Sequence, residues 1–344
     1  MIRALGWLLA LILLAGCAWP GPTALPPTAT PRPKIVETPL ATQEPTDAPA
    51  PTATARPTPT PTPTPLPVQA SDLNLLLLGT DRRLADEPTW RTDTIIVVAV
   101  RPRHGFIAML SIPRDLWVTI PGHGQNRINV VDYLGARSGG TGGGPKLVAA
   151  TLQQNLGITV NASARIELEG LARIIDTLGG ITITSDRAYD EWFWDETAPD
   201  GVSHMVVVTG TQRMDGRLAL QYARARHGTG DFDRSRRQQQ ILLALREAAL
   251  RPEVLPRLPA LIAQLSNTVD TDLRLNQVLP LLGLAVRLRP DAFRSRVFDY
   301  TMVRNWTTPD GAQVLLPNRA RIEAAWRELT APAAEPQTGA DQGK

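Results

Sequence analysis

From residue 73 onward, apolar runs alternate with polar breaks at the spacing of an α/β protein. Leu73 to Leu78 is unbroken and closes on Gly79-Thr80-Asp81, the pattern of a buried strand with polar residues at its end. Thr94 to Val100 predicts a second strand, Pro102 to Gly105 a turn, Phe106 to Ile112 a third strand and Leu116 to Ile120 a fourth. Helices then interleave: Lys146 to Leu156, strand Ala164 to Leu168, helix Gly170 to Leu178, turn Gly179-Gly180, strand Ile181 to Thr184. Leu218 to Tyr222 reads as helical, and Arg234 to Arg251 is the clearest helix, ended by Pro252. Further helices are expected around Leu255 to Leu265, Leu275 to Leu288 and Arg319 to Leu329. The pattern predicts an α/β fold, a layered α-β-α domain with a central mixed sheet flanked by helices.

Upstream of residue 68 the pattern changes. Of the 31 prolines, 16 fall between Pro20 and Pro67, interleaved with threonine and ending in the alternation from Pro57 to Pro65. Proline fixes φ and removes amide donors, so this stretch is expected to be an extended, disordered tether. Wholly extended at about 3.1 Å per residue, it would reach about 150 Å. Before it, Arg3, the apolar run Leu5 to Leu14 and Leu14-Ala15-Gly16-Cys17 read as an export signal closing on a lipobox, which resembles bacterial lipoprotein signals with Cys17 lipidated. An uncleaved short anchor and an ordinary cleaved signal are the other readings, and all three export the chain. The run is shorter than the roughly 20 apolar residues of a membrane-spanning helix. With one cysteine, no internal disulfide is possible.

The expected organisation is therefore an export signal (1–17), a Pro/Thr-rich linker (18–67), a catalytic domain (68–251), a C-terminal helical extension packed on the same domain (252–330) and a disordered tail (331–344). Charge narrows the partners. Residues 1–67 hold 4 Lys/Arg and 3 Asp/Glu of the chain's 36 and 33, leaving 32 against 30, so the remainder is nearly neutral and bulk charge gives no reason to expect nucleic acid.

Chemistry gathers where strands and helices end. Asp81 closes the first strand beside Arg82 and Arg83; Arg91 and Asp93 open the second; Arg114-Asp115 follows the third; Arg224 and Arg226 precede Asp231-Phe232-Asp233-Arg234 and Arg237-Gln238. A surface ion-pair network is the plain reading, since the chain has only three lysines and arginine is its habitual cation. Position favours another. Arg224 and Arg226 sit at a helix-to-loop exit, where guanidinium forks suit phosphate oxygens. Asp81 and Asp93, each beside a strand end, supply the carboxylates that magnesium takes together with substrate phosphates; manganese is the alternative cation. Zinc is not expected, because four scattered histidines and Cys17 offer no ligand spacing.

Two stretches carry other readings. The Gly-rich segment Gly139 to Gly144 lacks the Gly-Lys-Ser/Thr ending of a P-loop and predicts a flexible loop. Between Ser185 and Met205, Tyr189, Trp192, Phe193 and Trp194 stand among carboxylates, predicting a loop that either faces glycan or packs its own rings.

Six motifs then carry a resemblance. Leu75-Leu76-Leu77-Leu78-Gly79-Thr80-Asp81, Arg91-Thr92-Asp93-Thr94, Ser111-Ile112-Pro113-Arg114-Asp115, Arg127-Ile128-Asn129, Tyr222-Ala223-Arg224-Ala225-Arg226, and Gly230 to Arg234 through Gln238-Gln239-Gln240 are together similar to the LytR-CpsA-Psr family. The likeness runs from Leu73 to Ile241 and fades beyond Pro252. Thr92 stands in place of the commoner serine, and Val130-Val131-Asp132 replaces small and aromatic residues.

The resemblance implies a membrane-attached, extracytoplasmic enzyme that moves a glycopolymer from a polyprenyl-pyrophosphate carrier to peptidoglycan. On the matching positions it implies that Asp81 and Asp93 bind magnesium, that Arg91, Arg224, Arg226 and Gln238 hold the pyrophosphate, and that Arg114 and Arg234 are further active-site arginines. Arg83 matches a further arginine after the first aspartate. The implied reaction is attack by a sugar hydroxyl, in the family the C6 hydroxyl of N-acetylmuramic acid, on the phosphorus bearing the glycan, with Asp81 or Asp93 the base if either keeps a free oxygen. It also implies an apolar tunnel for the polyprenyl chain, and a lipobox at Cys17 where the family usually has a transmembrane helix. A polyprenyl-pyrophosphate hydrolase and a non-enzymatic lipid-binding envelope regulator are the competing functions.

Overall fold

The computed structural model describes residues 72–80, 89–139, 143–195, 198, 200–226 and 230–332. The expected signal with Cys17, the linker, Asp81, Arg83 and all but the first two residues of the expected tail lie outside the described residues. In chain order the elements are β1 (Leu73–Thr80), β2 (Thr92–Arg101), β3 (Phe106–Ile112), β4 (Trp117–Ile120), β5 (Gly124–Arg127), α1 (Val131–Gly139), α2 (Gly143–Leu156), β6 (Ala162–Glu167) and α3 (Leu168–Thr177). There follow β7 (Ile181–Ser185), β8 (Tyr189–Trp194), β9 (Val202–Val207), β10 (Gly210–Met214), α4 (Gly216–Arg224), α5 (Asp231–Ala249) and α6 (Leu258–Thr268). The last are β11 (Val269–Thr271), α7 (Leu275–Arg287), β12 (Phe293–Val297), β13 (Val303–Thr307), β14 (Gln313–Pro317) and α8 (Arg319–Thr330).

A six-stranded sheet in the order β11-β6-β1-β2-β3-β12 forms the middle layer. Strand β2 is antiparallel to β1 and β3, whereas β6 runs parallel to β1 and β12 parallel to β3, so the sheet is mixed. Its central strands read as unbroken apolar runs because both faces are covered. On one face Leu76, Leu78, Ile95 and Val97 pack against Leu152 and Leu156 of α2 and Ile322 and Trp326 of α8. On the other, Ile96, Val98 and Val100 meet Leu242 and Leu243 of α5 and Leu284 of α7. Truncating a residue such as Leu110, fully buried in the first cluster, would cost about 2–5 kcal/mol.

Leu116 to Ile120 holds the expected strand, β4, which pairs with β5 in a hairpin separate from the main sheet. Three sequence expectations need correction. The acidic aromatic stretch is no loop: β8 and β9 pair from Tyr189↔Val207 to Trp194↔Val202. Its alternation buries Tyr189 against the ring of Tyr222, while Trp192 and Trp194 point to solvent. Exposed tryptophans at every second position hide a strand pattern that normally puts polar residues outside.

The Gly-rich stretch is also more than a loop, since Gly143 and Gly144 begin α2. A side chain on Gly135 of α1 would come within 2.6 Å of the Gly143 carbonyl, so glycine lets the two helices cross in close contact. Nor is the segment after residue 251 a purely helical extension. It supplies two strands of the main sheet, β11 at one edge and β12 at the other, together with the β13–β14 hairpin. Strand β11 has only three residues and β12 carries Arg294 and Arg296, so neither shows the apolar run of a central strand. Arg294 instead lies over the ring of Phe106, 3.9 Å from its centroid.

Candidate active site

At one end of the sheet three segments converge. Asp93 is the second residue of β2, Arg114-Asp115 follow Pro113 at the end of β3, and Asp231 and Arg234 occupy the first turn of α5. The connecting backbone is tied down. The Asn129 N–H donates to the Arg114 carbonyl at 3.3 Å and the Ile128 N–H to the Leu116 carbonyl at 2.8 Å, which fixes the β5 exit beside the β3 exit. Near the end of β1, a side chain on Gly79 would come within 2.8 Å of Thr94 Cβ of β2, which is why glycine stands there.

These side chains form one arginine–carboxylate cluster. Arg114 Nη1 donates to Asp93 Oδ2, and Asn129 Nδ2 donates to the other oxygen at 3.2 Å. Arg234 Nη2 reaches Asp231 Oδ1 at 2.7 Å and the Asp93 carbonyl at 3.3 Å. Arg226 Nη2 lies 3.9 Å from Asp93 Oδ2, and Arg127 Nε 3.3 Å from Asp115 Oδ1. Among the described residues, four guanidinium groups thus meet three carboxylates. Several buried polar atoms here have no hydrogen-bond partner: Arg234 Nε, Asn129 Oδ1 and Asp231 Oδ2. Each such atom costs about 1–3 kcal/mol if left unpaired, so their grouping makes this the candidate ligand site.

The electrostatics separate the two inner carboxylates. Burial pulls Asp93 upward, but the charges of Arg114 and Arg234 and the hydrogen bonds from Asn129 and Arg114 outweigh it and hold the carboxyl below the usual range. For Asp231 burial wins, with Asp115 adding to it, and the carboxyl titrates above its usual range despite Arg234, Arg114 and Arg226. Burial pushes Arg234 down to about 10, which leaves it charged at neutral pH.

The other expected site residues are placed as follows. Arg224 is the last helical residue of α4, and its Nη2 donates to Glu169 Oε1 at 2.9 Å, whereas Arg226 turns to Asp93; the two pair with different carboxylates. Gln238 lies one turn beyond Arg234 on the same side of α5, and its amide donates to the Ala223 carbonyl at 3.4 Å. Arg91 is exposed, immediately before β2. Sequence reasoning quoted Asp115, Arg127, Asn129 and Asp231 inside motifs yet gave them no task. Their signal was adjacency to the arginines, which reads equally as a turn or helix-cap residue.

The oxygen donors here fit a divalent cation in kind. Asp93 is held ionised, and Asn129 Oδ1, on the amide that touches it, is unbonded. Among the described residues no group of three His, Cys, Asp or Glu encloses a point, so this set could furnish only part of a magnesium shell, with substrate oxygens or Asp81 completing it. Beside the cluster opens a cavity of about 560 Å³, lined by Asp115 and Asp231 of the cluster and by residues of β13 and β14. No helix among the described residues is long and apolar enough to cross a membrane.

Comparison with known proteins places this geometry. The chain is 31% identical over 212 residues to the polyisoprenyl-teichoic acid–peptidoglycan teichoic acid transferase TagU of Oceanobacillus iheyensis, covering 61% of this chain and 62% of that protein. It is 33% identical over 204 residues to the regulatory protein MsrR of Staphylococcus aureus, covering 58% and 56%. The chain thus spans less than two thirds of the length of these curated relatives. The fold matches the crystal structure of B. subtilis TagV with a TM-score of 0.60 at 22% identity, over 76% of this chain and 97% of that one. TagT bound to LIIa-WTA matches with a TM-score of 0.56 at 21% identity, over 76% and 91%. The model of the LytR_cpsA_psr family matches residues 41–331, so the likeness extends through the segment beyond Pro252 and does not fade there. The chain belongs to the LytR_cpsA_psr family.

Proposed function

We propose that the protein is an exported phosphotransferase that moves a glycopolymer from a polyprenyl-pyrophosphate carrier to a sugar hydroxyl of peptidoglycan. The observation that supports this reading is the arginine cluster around Asp93, with its unbonded Arg234 Nε, whose surplus of cationic donors suits a pyrophosphate. The name of the TagU relative, a teichoic acid transferase acting between a polyisoprenyl carrier and peptidoglycan, supports the same chemistry.

In this mechanism Arg114, Arg226 and Arg234 grip the two phosphates, with Arg91, Arg224 and Gln238 at the periphery and Arg83 as a further phosphate-binding candidate from the sequence. Guanidinium forks aimed at phosphoryl oxygens stabilise the charge that spreads over them in the transition state. Asp93, with Asp81, would hold magnesium, or manganese in its place, and the bound cation would add charge neutralisation at the phosphates. The acceptor oxygen forms a bond to the phosphorus bearing the glycan. The bond from that phosphorus to the bridging oxygen breaks, and polyprenyl phosphate departs. The hydroxyl proton goes to Asp231, whose free Oδ2 and raised pKa suit a base. Asp93 is less suited, because Arg114 and Asn129 occupy its oxygens and hold it ionised. Lipidation at Cys17 would keep the enzyme on the outer face of the cell membrane, beside its lipid-linked donor.

The test incubates the protein with magnesium, a polyprenyl-pyrophosphate-linked glycan and peptidoglycan strands, and follows covalent attachment. Transfer that depends on the acceptor is expected. Release of the glycan phosphate to water at the same rate without acceptor would instead establish a hydrolase.

A further inference from the structure

The cavity beside the cluster has a lining unlike that of the cluster itself. Phe232, the residue after Asp231, packs edge-on against Tyr300 with ring centroids 5.2 Å apart. Tyr300 is 71% exposed, and Trp306 of β13, in edge contact with Trp117 at 6.1 Å, also lines the cavity. The exposed amides of Asn305 and Gln313 line it as well. Among the described residues that line it, the charged ones are Asp115 and Asp231, both carboxylates.

The wall is fastened to the catalytic cluster. The Leu315 N–H of β14 donates to the Asp115 carbonyl at 3.0 Å, and Arg127 Nη2 donates to the Gln313 carbonyl at 2.9 Å while its Nε faces Asp115. The β13–β14 hairpin is thereby held in register with the residues around Asp93.

From this lining we infer that the cavity is the acceptor subsite, taking a neutral pyranose chain whose reacting hydroxyl points inward to Asp231. The inference rests on the transferase reading above and names the substrate surface that the reading leaves unassigned. Aromatic faces match the apolar C–H face of a sugar ring, and amide side chains match its hydroxyl and acetamido groups. A polyprenyl tail would find too many polar groups here. A phosphate-rich donor polymer would find no arginine or lysine among the described lining residues to pair with its phosphates. At Asp231 the acceptor oxygen bonds to phosphorus, its proton passes to the carboxylate, the bond from that phosphorus to the bridging oxygen breaks, and polyprenyl phosphate leaves.

The experiment titrates the full-length protein in detergent with chitotetraose, a neutral amino-sugar oligomer, and separately with inorganic pyrophosphate and magnesium. Wild type is expected to bind both. Tyr300→Ala and Asn305→Ala, at exposed positions where folding is not at stake, should each weaken chitotetraose binding by about tenfold and leave pyrophosphate binding unchanged. Trp306→Ala should weaken it further, and with peptidoglycan strands all three should raise the acceptor KM. Saccharide binding that ignores Tyr300→Ala and Asn305→Ala, or variants that weaken pyrophosphate instead, would overturn the assignment. Displacement of chitotetraose by a glycerol phosphate oligomer would reassign the cavity to the donor. A wild type that binds no pyrophosphate sinks the transferase reading itself, whereas one that binds it while the variants keep full saccharide affinity sinks only the cavity assignment.

Discussion

Two of the arginine–carboxylate clusters among the described residues contrast a candidate binding site with a structural ion pair. In one, Arg165 of β6 bridges Asp132 of α1, at 3.2 Å, and Asp270 of β11, at 2.8 Å. Trp90 donates its indole N–H to Asp132 Oδ2 at 2.7 Å, so both oxygens of that fully buried carboxylate are bonded. One cation answers two anions, and neither Asp132 nor Arg165 has a buried side-chain atom without a partner. The other cluster, around Asp93, has four guanidinium groups for three carboxylates among the described residues and keeps unbonded atoms on Arg234, Asn129 and Asp231. The same residue types that pin a helix to a strand in the first cluster are left under-satisfied in the second. Charge surplus and missing partners, rather than arginine content, distinguish the two.

The largest effect is expected on the surplus side. Arg114→Ala should lower transfer by about 10³-fold, the scale on which a group aimed at transition-state charge acts, while leaving the fold intact by circular dichroism. Arg165→Met should do the reverse. By leaving Asp132 buried without its cation it should cost about 3 kcal/mol of stability in denaturant titration, with transfer per folded molecule unchanged. If Arg165→Met abolished transfer at full stability, the distinction between the clusters would be wrong.

Asp231→Asn should slow transfer by about 10²-fold and remove the acidic limb of the pH–rate profile. The direction follows from burial, which with Asp115 outweighs Arg234, Arg114 and Arg226 and raises the carboxyl above its usual range. A base must be ionised, so wild-type activity should climb with pH through that raised value and be lost below it. A limb in the ordinary carboxylate range would point to another base. The smallest change is expected for Gln238→Ala, whose amide makes one long bond to the Ala223 carbonyl. Donor KM should rise by less than about tenfold, the scale of a single neutral hydrogen bond.

Much of this was legible in the residues. The apolar runs marked β1, β2 and β3 because a sheet covered on both faces needs no alternation, and the arginines and aspartates at their ends marked where chemistry gathers. What escaped had physical causes. Strand β12 reads as polar because Arg294 covers Phe106 with its guanidinium and Arg296 pairs with Glu328. The β8–β9 hairpin inverts the usual pattern by showing Trp192 and Trp194 to solvent. Asp231 escaped because a carboxylate in the first turn of a helix is ordinarily a favourable helix-end charge; only its burial and its unbonded oxygen single it out. The cavity wall could not be read either, since it is assembled from residues near 115, 231, 300 and 313 that only the fold brings together.

The central claim is that the surplus cluster exists to hold a pyrophosphate. Calorimetric titration of inorganic pyrophosphate with magnesium into the full-length protein tests it most directly, with Arg114→Ala and Arg165→Met in parallel. The account predicts saturable binding to wild type and to Arg165→Met, lost in Arg114→Ala; equal binding by wild type and Arg114→Ala, or none by wild type, would contradict it.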